Sequence, residues 1–173
     1  MKKYSKLCTL LLTAFFLHGC TPNAPSKTLH DKILSKLNQY ADSFKSKKAA
    51  YTALNMDNLS GLEWEKIYFF HENSDYPTDE GMSEVIGIEI KSGSIISNGT
   101  RLIFTRSNKV LAVVDFSQEE NLWLYTTEGY NRNKGSKFIF YTNCDYRKSY
   151  NLQPLQNFDE RTDLSGEFYK RCY

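Results

Sequence analysis

Downstream of residue 20, the chain offers few residues suited to chemistry: His30 and His71, Cys144 and Cys172, and scattered carboxylates. His71-Glu72, followed by Asp75, Asp79 and Glu80, is the one cluster that could hold a cation. It lacks the second histidine of a His-Glu-x-x-His zinc site and the ligand spacing of a calcium-binding EF-hand loop. A solvated acidic loop is the simpler reading, so no metal and no cofactor is expected. Nucleophilic catalysis needs a base beside the nucleophile and a third group to orient that base. No Gly-x-Ser-x-Gly elbow occurs, and no glycine-rich phosphate cradle. Glu63 and Glu65 are spaced to share one strand face, as a paired-carboxylate hydrolase would need, but solvated strand edges commonly show the same pattern. No catalytic residue is expected. Asn58-Leu59-Ser60 and Asn98-Gly99-Thr100 match glycosylation acceptors and read as turns.

The clearest chemistry lies at the start of the chain. Lys2, Lys3 and Lys6 precede an apolar run over 7–17, too short for the roughly 20 apolar residues that span a bilayer and suited to a cleaved leader. Leu17-His18-Gly19-Cys20 follows at once and resembles the lipobox of bacterial lipoprotein precursors. The resemblance implies cleavage between Gly19 and Cys20, with Cys20 as the lipidated N-terminus. Attached acyl chains contribute about 0.8 kcal/mol per buried CH₂ and hold stably when two or more are present. Asp after the cysteine commonly signals inner-membrane retention in such proteins. Thr21 stands there instead, which implies an outer-membrane protein, lipid-anchored and facing the periplasm. The expected organisation is a signal peptide over 1–19, the lipidated cysteine and a Pro-bearing tether over 20–27, and one domain over 28–173. Chain statistics give the tether a reach of roughly 15 Å.

Processing changes the charge and the cysteine arithmetic. The full chain has 22 Lys+Arg against 20 Asp+Glu. Loss of Lys2, Lys3 and Lys6 turns the formal +2 into about −1, which removes any electrostatic case for nucleic acid. Cys8 leaves with the leader and Cys20 takes the lipid. Cys144 and Cys172 remain in a disulfide-permitting compartment. A bridge between them closes a loop of about 28 residues and contributes roughly 3.5 kcal/mol in the chain-entropy picture. Zinc binding is the alternative, disfavoured by the lack of nearby histidines.

The elements that must position these groups follow from periodicity. Thr28-Leu29-His30-Asp31 matches a capping-box-like helix start. Leu29, Ile33, Leu37, Tyr40/Ala41 and Phe44 make one apolar stripe of an amphipathic helix ending near residue 50, before a turn-like stretch over 55–60. A strand is expected over 64–70, then a break around Pro77. A short helix with Met82, Val85 and Ile86, closed by Gly87, should run into a strand through Ile86, Ile88 and Ile90. Stretches 101–106 and 109–116 flank Ser107-Asn108 as a hairpin, with Val110 to Val114 as a central strand covered on both faces. A second hairpin should join 122–127 and 137–142. Beyond Cys144 the polar composition suggests irregular structure with one edge strand near 167–170. The sum is α+β: an N-terminal amphipathic helix packed on an antiparallel sheet of about five strands.

The chain holds 12 Tyr and 11 Phe. Core building is the ordinary account of such aromatics. Tyr125, Tyr130, Tyr141, Tyr146 and Tyr150, interspersed with Arg132, Lys134, Arg147 and Lys148, are the alternative: an exposed surface for a protein or glycan.

Trp64-Glu65-Lys66-Ile67-Tyr68-Phe69-Phe70 resembles a strand signature, usually Trp-Asp-Lys-hydrophobic-Tyr-hydrophobic-Phe, of small Gram-negative bacterial lipoproteins. Glu65 replaces the usual Asp. The similarity spans about residues 55–116, including Gly87 and Leu102-Ile103-Phe104, and carries over no catalytic residue. The function expected is that of a non-enzymatic binding or accessory protein of the cell envelope, with a protein or glycan partner. The alternative is an immunity or inhibitor protein against a periplasm-acting toxin or hydrolase.

Overall fold

A computed structural model describes residues 23–47, 51–94, 96, 99–124, 129–143 and 149–158. Helix α1, Lys27–Lys47, begins one residue earlier than Thr28. Its cap is Ser26, whose hydroxyl accepts the Leu29 amide at 3.3 Å, satisfying one of the orphan N–H groups of the first turn. Neighbouring structure fixes that start. The Ser26 amide donates to the Val113 carbonyl (2.8 Å) and the Asn23 amide to the Lys91 carbonyl (3.3 Å). The Lys91 amide in turn donates to Asn23 Oδ1 at 3.1 Å. Within the stretch expected as a tether, Asn23 and Ser26 are therefore bound to the domain, and only residues 21 and 22 lie between Cys20 and this bound segment. The apolar stripe is as expected, with Leu29, Ile33, Leu37, Ala41 and Phe44 all buried. On its flank, Lys32 and Lys36 donate to the carbonyls of Ser60 and Asn58.

Strand β1, Thr52–Asn55, leads into a short helix α2, Met56–Ser60, where a turn was expected. The Asn55 side chain caps it through the Asp57 amide at 2.7 Å. Strand β2 is Lys66–His71 and helix α3 is Asp79–Ile86. Thr78 Oγ1 caps α3 through the Gly81 amide, and Gly87, at φ 72°, ends it in the left-handed conformation that glycine alone adopts without strain. The strand expected through Ile86, Ile88 and Ile90 does not form. Ser83 Oγ accepts the Ile90 amide at 2.8 Å and folds the segment back, so Ile86 and Ile90 are buried by a loop.

Strands β3, Gly99–Arg106, and β4, Lys109–Ser117, form the expected hairpin. Ser107 and Asn108 have φ of 48° and 57°, the two positive values of a type I′ turn. The central strand, however, is β3, in which every residue but Arg106 is buried. β4 lies at the sheet edge. A register shift between Phe104 and Thr105 pairs Phe104 with Ala112 and Thr105 with Val110, leaving Leu111 as an extra, exposed residue.

The remaining strands are β5 (Leu122–Leu124), β6 (Tyr130–Asn131), β7 (Lys137–Asn143) and β8 (Ser149–Pro154). They depart from the expected second hairpin. β5 crosses to another sheet and pairs in parallel with β8, β6 pairs with β2, and β7 pairs with β1 and β8. The fold is α+β as expected, with two four-stranded sheets in place of one sheet of about five: β4-β3-β2-β6, and β1-β7-β8-β5. β8 occupies a stretch expected to be irregular. Its alternating Tyr150 and Leu152 enter the core, while Asn151 Nδ2 donates to Ser149 Oγ and Gln153 Nε2 to the Asn157 carbonyl.

Both sheets and α1 share one core. It includes Leu102, Phe104 and Val114 from the first sheet, Phe138, Phe140 and Leu152 from the second, and the α1 stripe. A second, smaller core lies on the other side of the first sheet, where Tyr68, Phe70, Ile103 and Val113 meet Met82, Ile86, Ile90 and Ile96. Truncating Leu37, fully buried, to Ala should cost about 2–5 kcal/mol, whereas Leu111→Ala should stay within about 0.5 kcal/mol. Urea unfolding of the two variants checks the contrast.

Candidate functional site

Because α1 starts at Lys27, His30 falls in its first turn and points toward the end of β4. Its ring lies on Phe116, with centroids 5.1 Å apart. Nε2 sits 2.9 Å from Glu120 Oε1, and Nδ1 2.9 Å from Asp31 Oδ1. Lys27 Nζ holds the other Asp31 oxygen at 2.7 Å. Glu120 is aimed by the turn after β4, where its Oε2 accepts the Ser117 amide at 2.7 Å. Burial alone would lower the His30 pKa, but the hydrogen bonds and charges of Asp31 and Glu120 outweigh it and the net shift is upward. Asp31 is held below its ordinary value by the bonds from Lys27 and His30. Lys27, His30, Phe116 and Glu120 border an open cleft of about 490 Å³ that Ser26, Thr100, Asp115 and Ser117 also line.

The arrangement limits the chemistry available. A general base needs a free ring nitrogen within hydrogen-bond reach of its substrate, and both nitrogens of His30 already face carboxylates. Asp115 is committed too: its two oxygens accept from Arg101 Nε and Nη2 at 2.6 and 2.7 Å. Thr100 is buried, and its Oγ1 has no partner among the described residues. The imidazole and the carboxylates of the cleft are thus paired with one another or with Arg101.

No family model matches the chain, and neither a curated protein nor a solved structure matches it. The site is therefore weighed on its own geometry.

The sequence-derived candidates scatter. His71 stacks on Trp123 (4.6 Å, 20°) and its Nδ1 accepts the Asn73 amide. Glu72 accepts the Gly99 amide, and Asp79 accepts from the Ser92 and Gly93 amides and the Ser92 hydroxyl. Among the described residues no three His, Cys, Asp or Glu side chains gather as a cation site. Glu63 pairs with Arg106, and Glu65 accepts the Ser107 amide at 2.8 Å. The two carboxylates brace the β3–β4 turn.

Tyr130 and Tyr150 do not belong to an exposed aromatic surface. They are 5% and 6% exposed and part of the main core. The Tyr130 ring meets Phe138 edge-on at 5.0 Å, and burial pushes its phenol pKa up. The Tyr150 hydroxyl donates to Asn38 Oδ1 on α1. Tyr141 is half-buried, its ring 6.4 Å from that of Phe158. Arg132 donates to Asp57 and lies over the Trp64 ring at 6.0 Å. Gly19, Cys20, Tyr125, Cys144, Tyr146, Arg147, Lys148 and Cys172 lie outside the described residues.

Arg101 and Glu120 were not singled out from the sequence. Arg101 carried one signal: a charge directly before the apolar run Leu102-Ile103-Phe104 of a strand. Since Glu72 and Asp79 are engaged internally, calcium, zinc or a chelator should leave the melting temperature unchanged. A metal-dependent rise measured by calorimetry would contradict this.

Proposed function

We propose that the chain is a lipid-anchored outer-membrane protein facing the periplasm, whose α+β domain works by binding another envelope component, protein or glycan, rather than by catalysis. The observation that carries this reading is Leu17-His18-Gly19-Cys20 directly behind a basic start and a short apolar run. Two features of the domain support it. Asn23 is bonded to Lys91, so three residue steps separate the lipidated position from the fold, at most about 11 Å of extended chain. The His30 cleft lies beside that same segment, because Ser26 and Lys27 line it. The internal pairing of His30, Glu120 and Asp115 further favours binding over turnover. In this reading Cys144 and Cys172 form a disulfide that secures the C-terminal segment.

A Cys20→Ser variant expressed in a Gram-negative host should fail to incorporate labelled palmitate and should leave the membrane fraction. Unchanged labelling and fractionation would overturn the anchor. Alkylation mass spectrometry of the non-reduced mature protein should find Cys144 and Cys172 blocked, and two free thiols would remove the disulfide.

A further inference from the structure

His30 joins parts of the chain 90 positions apart, the start of α1 and the turn after β4. The segment before α1 meets the domain through the Ser26–Val113 bond at the open edge of the first sheet and the Asn23–Lys91 pair on the loop after α3. Backbone contacts at a sheet edge and on a loop open locally at low cost. We propose that protonated His30, gripped between Asp31 and Glu120, is a pH-responsive latch that keeps residues 23–26 seated on β4 and releases them when the ring loses its proton.

The chemistry follows from the two 2.9 Å contacts. The imidazolium donates from both nitrogens. The neutral ring has only one N–H, so one nitrogen then presents a lone pair to a carboxylate oxygen, and that contact turns repulsive. Among the described residues, the charged groups facing the ring are few. Asp31 and Lys27 lie on α1, Glu120 on the turn after β4, and Asp115 on β4 itself, its carboxylate spent on Arg101 of β3. The ring's side chain is 18% exposed and that of Glu120 23%, which shields the pair from much of the screening that weakens surface ion pairs.

The direction with pH is set by the upward shift of His30. A group whose folded-state pKa exceeds its unfolded value contributes fully below the unfolded value, about 6.5, and loses that contribution as pH rises through the folded value. The latch is therefore closed below about pH 6.5 and opens as pH rises through the raised value of His30. The latch does not depend on the lipid. Its consequence for how freely the domain moves at the membrane rests on the anchor reading above.

Hydrogen exchange on the full-length protein in detergent, from pH 6 to 9, tests it, with rates divided by the intrinsic rate at each pH. Protection of the Ser26 and Lys91 amides should fall about tenfold or more relative to β3 amides. The fall should track the NMR titration of the His30 ring, at a midpoint above about 6.5. His30→Gln should give low protection at every pH, and Glu120→Gln should move the ring's midpoint down. Protection that ignores pH in the wild type, or unchanged pH dependence in His30→Gln, would overturn the latch. If His30→Gln does not fold, the wild-type comparison of ring titration with Ser26 protection decides alone. The same measurement on Cys20→Ser separates the readings: pH-dependent protection there supports the latch whatever becomes of the anchor.

Discussion

The buried guanidinium of Arg101 is the constraint around which the first sheet is organised. Its side chain is fully buried, and an unpaired charge in that position would be strongly destabilising. Every donor is therefore matched. Asp115 takes Nε and Nη2, Ser94 Oγ takes Nη2, and Nη1 reaches Ser92 Oγ, the Ser94 carbonyl and Asp79. These partners come from β4, from the first turn of α3 and from the loop after α3. One side chain thus fixes how α3 and that loop lie over β3, and with them the small core of Met82, Ile86 and Ile90 on Ile103 and Val113. It also reaches the His30 cleft, since Asp115 lines that cleft and the next residue, Phe116, lies under the His30 ring.

That node explains why part of the molecule could be read from sequence and part could not. The α1 stripe, the Ser107-Asn108 turn and the Gly87 cap are local signals, and the structure follows them. Arg101–Asp115 depends on a non-local accident. A two-residue turn with regular pairing places Val114 opposite Arg101, and only the bulge at Leu111 slides Asp115 into register. The same bulge turns Leu111 outward, while β3 rather than β4 is central because β3 also pairs with β2. β8 was missed for a different reason. Its polar residues suggested a loop, but Asn151 and Ser149 satisfy each other while Tyr150 and Leu152 supply the period of two.

The candidate site shows the same division. His30 was visible as a histidine near the helix start, without its partner: Glu120 is 90 positions away and is delivered by a turn whose geometry no local motif announces. The acidic cluster around His71 was visible and proved to be structural, since Glu72 and Asp79 accept from backbone amides. Tyr130 and Tyr150 were visible as aromatics, and tertiary packing made them core. What emerges is a domain whose buried charge, Arg101, and whose His30 ring are matched by carboxylates of the fold itself. The segment before α1 is bound to that same domain through Ser26 and Asn23.

Double-mutant unfolding measures directly whether Arg101 is the organising charge of the first sheet. Asp115→Ala leaves the buried guanidinium short of its main partner and should cost about 3–5 kcal/mol, while Arg101→Met combined with Asp115→Leu should recover most of that loss. A cost below about 1 kcal/mol for Asp115→Ala in urea unfolding, with no recovery in the double variant, would contradict it.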